Sequence, residues 1–281
     1  MRDFKWTDRW TLLKNTLGLT SSVVINVKRD ERDERNISDI AVVIPCYNHA
    51  KELKGTLEAL ARQTLLPAQV VVVDNGSDDE PGKVVESFVG RLPVSLVRFV
   101  ERRGAPAARN EGFRRTVEPY VLFLDADVQL MPRALEVMRL ALVKNSQAAF
   151  AYSDFYWGCV LFRGRRWDSE ALKRLNWIHT CSLVKREALL GLIDESGRGP
   201  FDETLKKFQD WDLWLTLAEH GLCGVWIPEV LFKVVERKTG MSRWLPALVH
   251  RLPWPILGWT PKEIIRYREA ERIIHLKHHL S

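Results

Sequence analysis

Short apolar runs alternate with amphipathic segments from residue 40 to residue 144. Three of the runs are unbroken apolar stretches bounded by polar residues, which is the pattern of strands buried on both faces. Because strand and helix take turns, we predict an α/β fold with right-handed crossovers: a single Rossmann-like, mostly parallel sheet covered by helices on both faces. The predicted strands are 41–44, 70–73, 94–100 and 121–124, and the predicted helices are 51–63, 83–89, 105–115 and 133–144.

Beyond residue 148 the alternation is less regular. Near the C-terminus, Thr260 is a favourable N-cap, Pro261 suits the first turn and Glu263 completes the start of a helix, so we predict a C-terminal helical tail. A mixed-charge run before the first strand indicates a linker. The other predicted elements are strands at 148–156, 178–185, 223–227 and 230–235, and helices at 209–220 and 261–279. The predicted division is 1–36 as an extension and charged linker, 37–236 as the main domain and 237–281 as a basic tail.

The composition is that of an ordinary globular protein, with 46% hydrophobic and 28% charged residues among 281. No apolar run approaches the roughly 18–20 residues that span a bilayer, and the N-terminal residues do not resemble a signal peptide. The cysteines are far apart and form no CxxC pair, which favours a reduced, cytoplasmic protein without zinc or disulfides. They are Cys46, Cys159, Cys181 and Cys223.

The net charge of +6 is concentrated in residues 237–281, which hold nine Lys or Arg residues against three Glu residues. A basic segment with interleaved tryptophans suits the headgroup region of an anionic membrane, so a peripheral location on the inner face of the cell membrane is one interpretation. A solvated helix with tryptophans in the core is the other. No nucleic-acid-binding motif is present, so nucleic acid is not expected as a partner. The aromatic and histidine residues concerned are Trp244, Trp254, Trp259, His275, His278 and His279.

Polar clusters follow three of the predicted strands, and ligands of open parallel sheets bind beyond such strand ends. If the chain stays extended past residue 124, Asp125 and Asp127 lie roughly 6–7 Å apart on one side, where they can share a divalent cation. The alternative is that they merely cap a strand and start a turn. We expect Pro45 to stop the first strand. Neither a dinucleotide-binding nor a P-loop glycine pattern is present.

Four segments resemble, in order, the signatures of family 2 glycosyltransferases, which have the GT-A fold. They are residues 42–48 (VVIPCYN), 72–79 (VVDNGSDD), 104–112 (GAPAARNEG) and 123–127 (FLDAD). A fifth stretch, residues 201–203 (FDE) followed by 209–213 (QDWDL), resembles the acceptor-side motif of that family. The resemblance covers roughly residues 40–215.

The resemblance implies an inverting enzyme that transfers a hexosyl or related group from a nucleoside-diphosphate sugar to a hydroxyl. The acceptor would be a polysaccharide or lipid-linked glycan. Asp210 matches the general base, and Asp127, with Asp125, matches the ligands of Mg²⁺ or Mn²⁺. The residues implied to bind the sugar nucleotide are Pro45, Tyr47, Asn48, Asp74, Asn75, Arg109 and Asp125.

The sequence departs from the family pattern at two positions. Gln209 stands where an acid is usual, and Arg237 aligns with a histidine that often contacts metal or diphosphate. For His179, a core role and a role in the acceptor pocket are both open. Two other functions also remain open: a nucleotidyltransferase that forms sugar nucleotides, and a binding scaffold without catalysis.

Overall fold

A computed structural model describes residues 38–193, 199–235 and 261–280. The strands are β1 (Ile40–Cys46), β2 (Gln69–Asp74), β3 (Val94–Arg98), β4 (Tyr120–Phe123), β5 (Val128–Leu130), β6 (Ala148–Trp157), β7 (Val160–Phe162), β8 (Leu183–Lys185) and β9 (Cys223–Val234). The helices are α1 (Ala50–Ala61), α2 (Pro81–Glu86), α3 (Ala105–Arg114), α4 (Ala134–Lys144), α5 (Ser169–Leu172), α6 (Arg186–Leu190), α7 (Gln209–Glu219) and α8 (Lys262–Lys277).

The strands form one sheet in the order β3-β2-β1-β4-β8-β6-β9-β5, with β7 paired to β6. The first four strands in this order are mutually parallel. Beyond β4 the sheet is mixed, since β8 runs antiparallel to both of its neighbours while β6 and β9 are parallel. The predicted α/β fold class is confirmed.

Helices cover both faces of the sheet because alternate strand residues point to opposite sides. Val42 and Ile44 of β1 belong to a core with α1, α2 and α4. Val43 points the other way and packs in a second core with α3, α7 and α8. The alternation therefore places α3 and α7 on the same face, and both helices contribute side chains to the candidate site.

We expected Pro45 to stop the first strand, and this prediction is wrong. β1 continues to Cys46, and Pro45 pairs in register with Val73 of β2. The Val43 carbonyl accepts a hydrogen bond from the Leu124 N–H, so the backbone polar groups of Val43 face β4. Because this orientation repeats every second residue along a strand, the backbone of Pro45 faces the same side. β4 has ended at Phe123 by that level, so the missing N–H breaks no ladder.

In the second half, the predicted strand at 178–185 is formed only at β8. Residues 179–182 bond locally instead: Cys181 N–H donates to His179 Nδ1, and the Ser182 hydroxyl donates to the His179 carbonyl. Such local bonds compete with a sheet ladder. The two strands predicted at 223–227 and 230–235 are one strand, β9, in which the residues between Ile227 and Val230 form a bulge opposite β6.

The C-terminal helix α8 docks on α7 through charged side chains. His278, just after α8, places Nε2 2.8 Å from Asp212 Oδ1 and Nδ1 2.8 Å from Glu219 Oε1. Lys277 reaches both Asp202 and Asp212. These two basic residues of the predicted tail therefore hold α8 to the domain. Trp244, Trp254 and Trp259 lie outside the described residues.

Candidate active site

The candidate site lies beyond the carboxyl ends of β1, β2 and β4. Cys46 pairs with Asp74 across β1 and β2, and Val43 pairs with Phe123 across β1 and β4, so the three strands end close to one level. The loops that follow them meet at the same edge of the sheet, as expected for a ligand-binding crevice in an open parallel sheet.

The loops after β1 and β2 are held together by side chains. Ser77 N–H donates to Asp74 Oδ1 (2.8 Å), and Asn48 N–H donates to Ser77 Oγ (3.0 Å). Asp78 N–H donates in turn to Asn48 Oδ1 (2.9 Å). Asn48 adopts a left-handed φ of 53°, which asparagine tolerates better than most residues. These polar residues therefore fix the shape of the crevice wall.

Asp74 keeps one carboxylate oxygen for a further donor. Its Oδ2 is buried and accepts no hydrogen bond from the described residues, although Arg98 Nε lies 3.4 Å away. Tyr47, also in the wall, carries the Arg102 guanidinium 4.2 Å above its ring. Asp74 and Tyr47, both predicted to bind the nucleotide, thus provide a hydrogen-bond acceptor and an aromatic ring that packs against a guanidinium.

Asn75, predicted to bind the sugar nucleotide, uses its side-chain oxygen within the protein. Its Oδ1 accepts from the backbone N–H groups of Arg103 (2.7 Å) and Gly104 (3.2 Å). Gly104 has φ 99° and directly precedes α3. Asn75 therefore fixes the start of the helix that carries Arg109. Pro45 lies in β1, two residues before the crevice loop, which begins at Tyr47.

Arg109 ties three elements together at the centre of the site. Its Nη2 donates to Asp125 Oδ1 (2.7 Å), just past β4, and its Nη1 donates to Gln209 Oε1 (3.0 Å), the first residue of α7. The Arg109 side chain is only 6% exposed. The amide oxygen of Gln209 thus serves as acceptor at the position where the family pattern has an acid.

The Arg109 guanidinium keeps Asp125 ionised. Burial alone would raise the pKa of Asp125, but the charge and hydrogen bond of Arg109 outweigh it, with help from His179 and His49. The net pKa is below the ordinary value. Asp125 is therefore a carboxylate at neutral pH and remains 27% exposed toward the crevice.

Asp210 lies in the first turn of α7, beside the Arg109–Asp125 pair. Its Oδ2 accepts from Asn176 Nδ2 (3.0 Å), and its Oδ1 accepts from the Trp211 backbone (2.9 Å). Burial raises its pKa above the ordinary value, and the positive charge of Arg109 offsets only part of this rise. A partly exposed carboxylate with a raised pKa has the properties of a general base.

Two further residues complete the site. Asn176 orients Asp210, and nothing in its sequence context pointed to it. His179 lies near enough to Asp125 and Asp210 for both to act on its pKa, which burial nevertheless lowers. Since His179 Nδ1 accepts the Cys181 N–H, the neutral ring carries its proton on Nε2.

The structure changes the expected geometry of the acidic pair. β4 ends at Phe123, and a turn closed by the Val128 N–H and the Asp125 carbonyl (3.0 Å) follows, so residues 125–127 are not extended. Asp125 faces Arg109, while the Asp127 backbone is bonded to Val235 at the end of β9 (2.8 Å). The expectation of an extended strand through residues 125–127 is therefore wrong, while a metal ion shared by Asp125 and Asp127 stays a prediction.

Within the described ranges, no three His, Cys, Asp or Glu side chains group as a metal site. Mg²⁺ and similar ions are often held by one or two carboxylates together with substrate phosphates and water, so the oxygen donors of Asp127 and Asp125 fit such an ion when diphosphate is present. Arg237, aligned with a metal-contacting histidine, lies outside the described residues.

A known protein family matches the part of the chain from β1 to α6. The family model "Glycosyl transferase family 2" matches residues 41–192, more than half of the chain, although Asp210 lies beyond that range. The chain is similar to the uncharacterized glycosyltransferase YibD of Escherichia coli K12, with 28% identity over 137 residues. The match covers 48% of this chain and 39% of that protein.

Solved structures show the same fold. The crystal structure of residues 1–349 of S. aureus TarS in complex with UDP-GlcNAc superposes with a TM-score of 0.60 at 17% identity, covering 85% of this chain and 72% of that one. The mannosyltransferase PcManGT of Pyrobaculum calidifontis, in complex with GDP-Man and Mn²⁺, gives 0.57 at 20% identity, covering 98% and 76%. With this shared fold and the family match over β1 to α6, the chain belongs to glycosyl transferase family 2.

Proposed function

We propose that this chain is an inverting glycosyltransferase that moves a sugar from a nucleoside-diphosphate sugar to a hydroxyl of a polysaccharide or lipid-linked glycan. The observation that carries the proposal is the meeting of two carboxylates in one cleft, where Arg109 bonds both Asp125, just past β4, and Gln209, the residue before Asp210. Asp125 is held ionised by Arg109, while the pKa of Asp210 is raised by burial. Environments that push two acids apart in this way assign them different roles.

The donor-binding residues in this proposal are Tyr47, Asn48, Asp74, Arg109 and Asp125. The buried, unsatisfied Oδ2 of Asp74 supports a contact to a hydroxyl or N–H of the nucleoside. The named complexes of TarS with UDP-GlcNAc and of the mannosyltransferase with GDP-Man contain such donors. At 17% and 20% identity these proteins indicate a shared fold alone, so our proposal names nucleoside-diphosphate sugars as a class and no particular donor.

Asp127, with Asp125, would hold Mg²⁺ or Mn²⁺ against the donor diphosphate. A divalent cation there neutralises the negative charge that develops on the leaving phosphate oxygens. The mannosyltransferase complex contains Mn²⁺. Arg109 carries a fixed positive charge on the same side of the cleft, and its two bonded partners hold the guanidinium in place.

Asp210 acts as the base in this scheme. It takes the proton of the acceptor hydroxyl as the oxygen bonds to the anomeric carbon and the bond to the diphosphate breaks. Asn176 donates to one oxygen of Asp210 and holds it in place. Attack opposite the leaving group inverts the anomeric centre, and such a positioned base contributes typically about 10²–10⁴-fold to the rate.

The acceptor proposal includes contact with the cytoplasmic face of a membrane through the 237–281 tail. Helix α8 supports it with three exposed apolar side chains, Ile265, Ile273 and Leu276, interspersed with basic residues. Within the described residues no helix is long and apolar enough to cross a bilayer. Flotation with anionic but not with neutral liposomes is the expected result, and equal flotation with both would contradict membrane contact by charge.

The division into an extension (1–36), a GT-A domain (37–236) and a tail (237–281) is likewise part of the proposal. The docking of α8 on α7 supports a tail that is partly joined to the domain. Limited proteolysis followed by mass spectrometry checks it: we expect cleavage near residue 37 and protection of α8. Early cleavage inside residues 38–193 would contradict the boundaries.

The substitution Asp210→Asn tests the catalytic assignment. A thermal-shift screen of UDP and GDP with and without Mn²⁺ first identifies the nucleotide that stabilises the wild type. We expect Asp210→Asn to keep that stabilisation while transfer and donor hydrolysis fall by at least about 10²-fold. Near-full activity of the variant would overturn the base assignment.

Two other results would indicate the alternative functions. Release of pyrophosphate from a sugar phosphate and a nucleoside triphosphate would indicate a nucleotidyltransferase, and nucleotide binding without turnover would indicate a scaffold.

A further inference from the structure

An aromatic shelf lies next to the acidic cleft. Its five rings belong to Phe155, Trp157, Phe162, His179 and Phe232. Phe155 stacks between Phe162 (5.1 Å between ring centroids, 11° between planes) and Phe232 (4.9 Å, 6°). His179 packs on Phe155 and Phe232 at 5.2 and 5.1 Å, and its ring centroid lies 6.5 Å from that of Trp157. Phe155 and Phe232 are buried, so the partly exposed rings of the aromatic shelf are Trp157, Phe162 and His179.

Sheet register places the aromatic shelf at the edge that carries the carboxylates. Trp157, the last residue of β6, pairs with Val234 of β9, and Val234 pairs with Val128 of β5. Neighbouring strands are about 4.8 Å apart, so the backbones of Trp157 and Val128 are separated by about 10 Å. Val128 directly follows Asp127. The aromatic shelf therefore lies at the same end of these strands as Asp127.

His179 joins the aromatic shelf to the catalytic carboxylates. Its ring is part of the shelf, and it is close enough to Asp125 and Asp210 to interact with both charges. Because Nδ1 already accepts the Cys181 N–H, the ring offers one hydrogen-bond donor, the Nε2–H. A neutral donor beside Asp210 suits a hydroxyl oxygen, since it binds without adding a charge that would weaken the base.

We propose that the aromatic shelf binds the acceptor and that the acceptor is a saccharide. Its sugar ring lies against Trp157 and Phe162, whose faces carry the negative side of the aromatic quadrupole and attract the C–H groups of a pyranose. The His179 Nε2–H donates to an oxygen of the same sugar and brings its free hydroxyl to Asp210. This inference rests on the proposed function, which named a glycan as acceptor but no residue that binds it.

The test compares Trp157→Leu with Tyr120→Leu. Tyr120 is a half-buried aromatic at the opposite end of the sheet, where it packs under Arg139, so it controls for the general loss of an aromatic side chain. The acceptor probes are the p-nitrophenyl glycosides of glucose, galactose, mannose and N-acetylglucosamine. We expect Trp157→Leu to raise the acceptor KM by at least about tenfold, while Tyr120→Leu leaves it within about twofold. Donor hydrolysis, in which water replaces the acceptor, is measured beside transfer in both variants: Tyr120→Leu should leave it unchanged, and in Trp157→Leu the rise in acceptor KM should exceed any change in the donor KM for hydrolysis.

A second pair of variants isolates the Nε2–H and remains informative if Trp157→Leu fails to fold. His179→Asn places an oxygen near the Nδ1 position and keeps an acceptor for Cys181, whereas His179→Gln places an amide N–H near the Nε2 position. We expect His179→Asn to lose acceptor affinity and His179→Gln to restore part of it. Equal acceptor KM in wild type and all shelf variants would overturn the inference, as would a wild type that hydrolyses donor but accepts no saccharide. A wild type that neither binds nor hydrolyses any donor would refute the proposed function itself.

Discussion

The Arg109→Met substitution removes the charge that holds the cleft together while keeping most of the side-chain volume. The variant loses a hydrogen bond to ionised Asp125 and one to Gln209. A bond to a charged group contributes about 1.5–3 kcal/mol, and breaking a fully buried ion pair costs about 3–5 kcal/mol. Asp125 is 27% exposed, so water can hydrate the abandoned carboxylate. We therefore expect the free energy of unfolding to fall by about 2–3 kcal/mol at pH 7.

The loss of stability in Arg109→Met should also depend on pH. Because the pKa of Asp125 is lowered in the folded protein, the stability that it contributes is present above its ordinary pKa and is lost as the pH falls through the lowered value. Urea unfolding at pH 7 and at about pH 3, below the ordinary pKa of an aspartate, should show the difference between wild type and Arg109→Met shrinking in acid.

The control is Arg114→Met, on the same helix. The Arg114 side chain is 27% exposed, and its partner Glu111 keeps its pair with Arg115, so the substitution should change stability by less than about 1 kcal/mol. A loss in Arg109→Met no larger than that of Arg114→Met, or a loss independent of pH, would refute this account of the cleft.

Two further predictions concern Asn176 and His278. Asn176→Leu removes a hydrogen-bond donor to ionised Asp210, so the pKa of Asp210 should rise further. The acidic limb of the pH profile of kcat/KM should therefore move to higher pH. An acidic limb at the same pH as in the wild type would contradict this contact. For His278, burial lowers the pKa, but the bonds to Asp212 and Glu219 outweigh it and the pKa is raised. Its stabilisation should be complete below about pH 6.5 and lost as pH rises through the raised pKa, so the Tm difference between wild type and His278→Phe should narrow from pH 6 to pH 9. A constant or widening difference would contradict an ionised His278.

Apart from β5, which was not predicted, the first half of the fold was predictable from sequence because its elements have local signatures. The unbroken apolar runs of β1, β2 and β4 are buried on both faces, and the stripe of α1 packs on them. In the second half the signal is weaker. Strand β8 is short because residues 179–182 satisfy one another locally, and the bulge in β9 separates two apolar stretches that belong to one strand.

The sequence named several residues that the structure brings together at the candidate site, but neither Asn176 nor the contacts between them. Motif order named Asp74, Arg109, Asp125 and Asp210, and their roles stay predictions. The turn at Asp125, the bond from Arg109 to Gln209 and the bond from Asn176 to Asp210 depend on segments distant in sequence. No local pattern encodes such pairings, because they arise only when α3 and α7 pack on the same face of the sheet.

The stereochemistry of donor hydrolysis tests the central claim most directly. If Asp210 activates an attacking hydroxyl opposite the leaving diphosphate, an α-linked donor that binds this protein must release the β-sugar first. Proton NMR of the anomeric signal, followed before mutarotation, measures this outcome. The β-anomer as the first product, abolished in Asp210→Asn, is the predicted result, and initial release of the α-anomer would contradict the account.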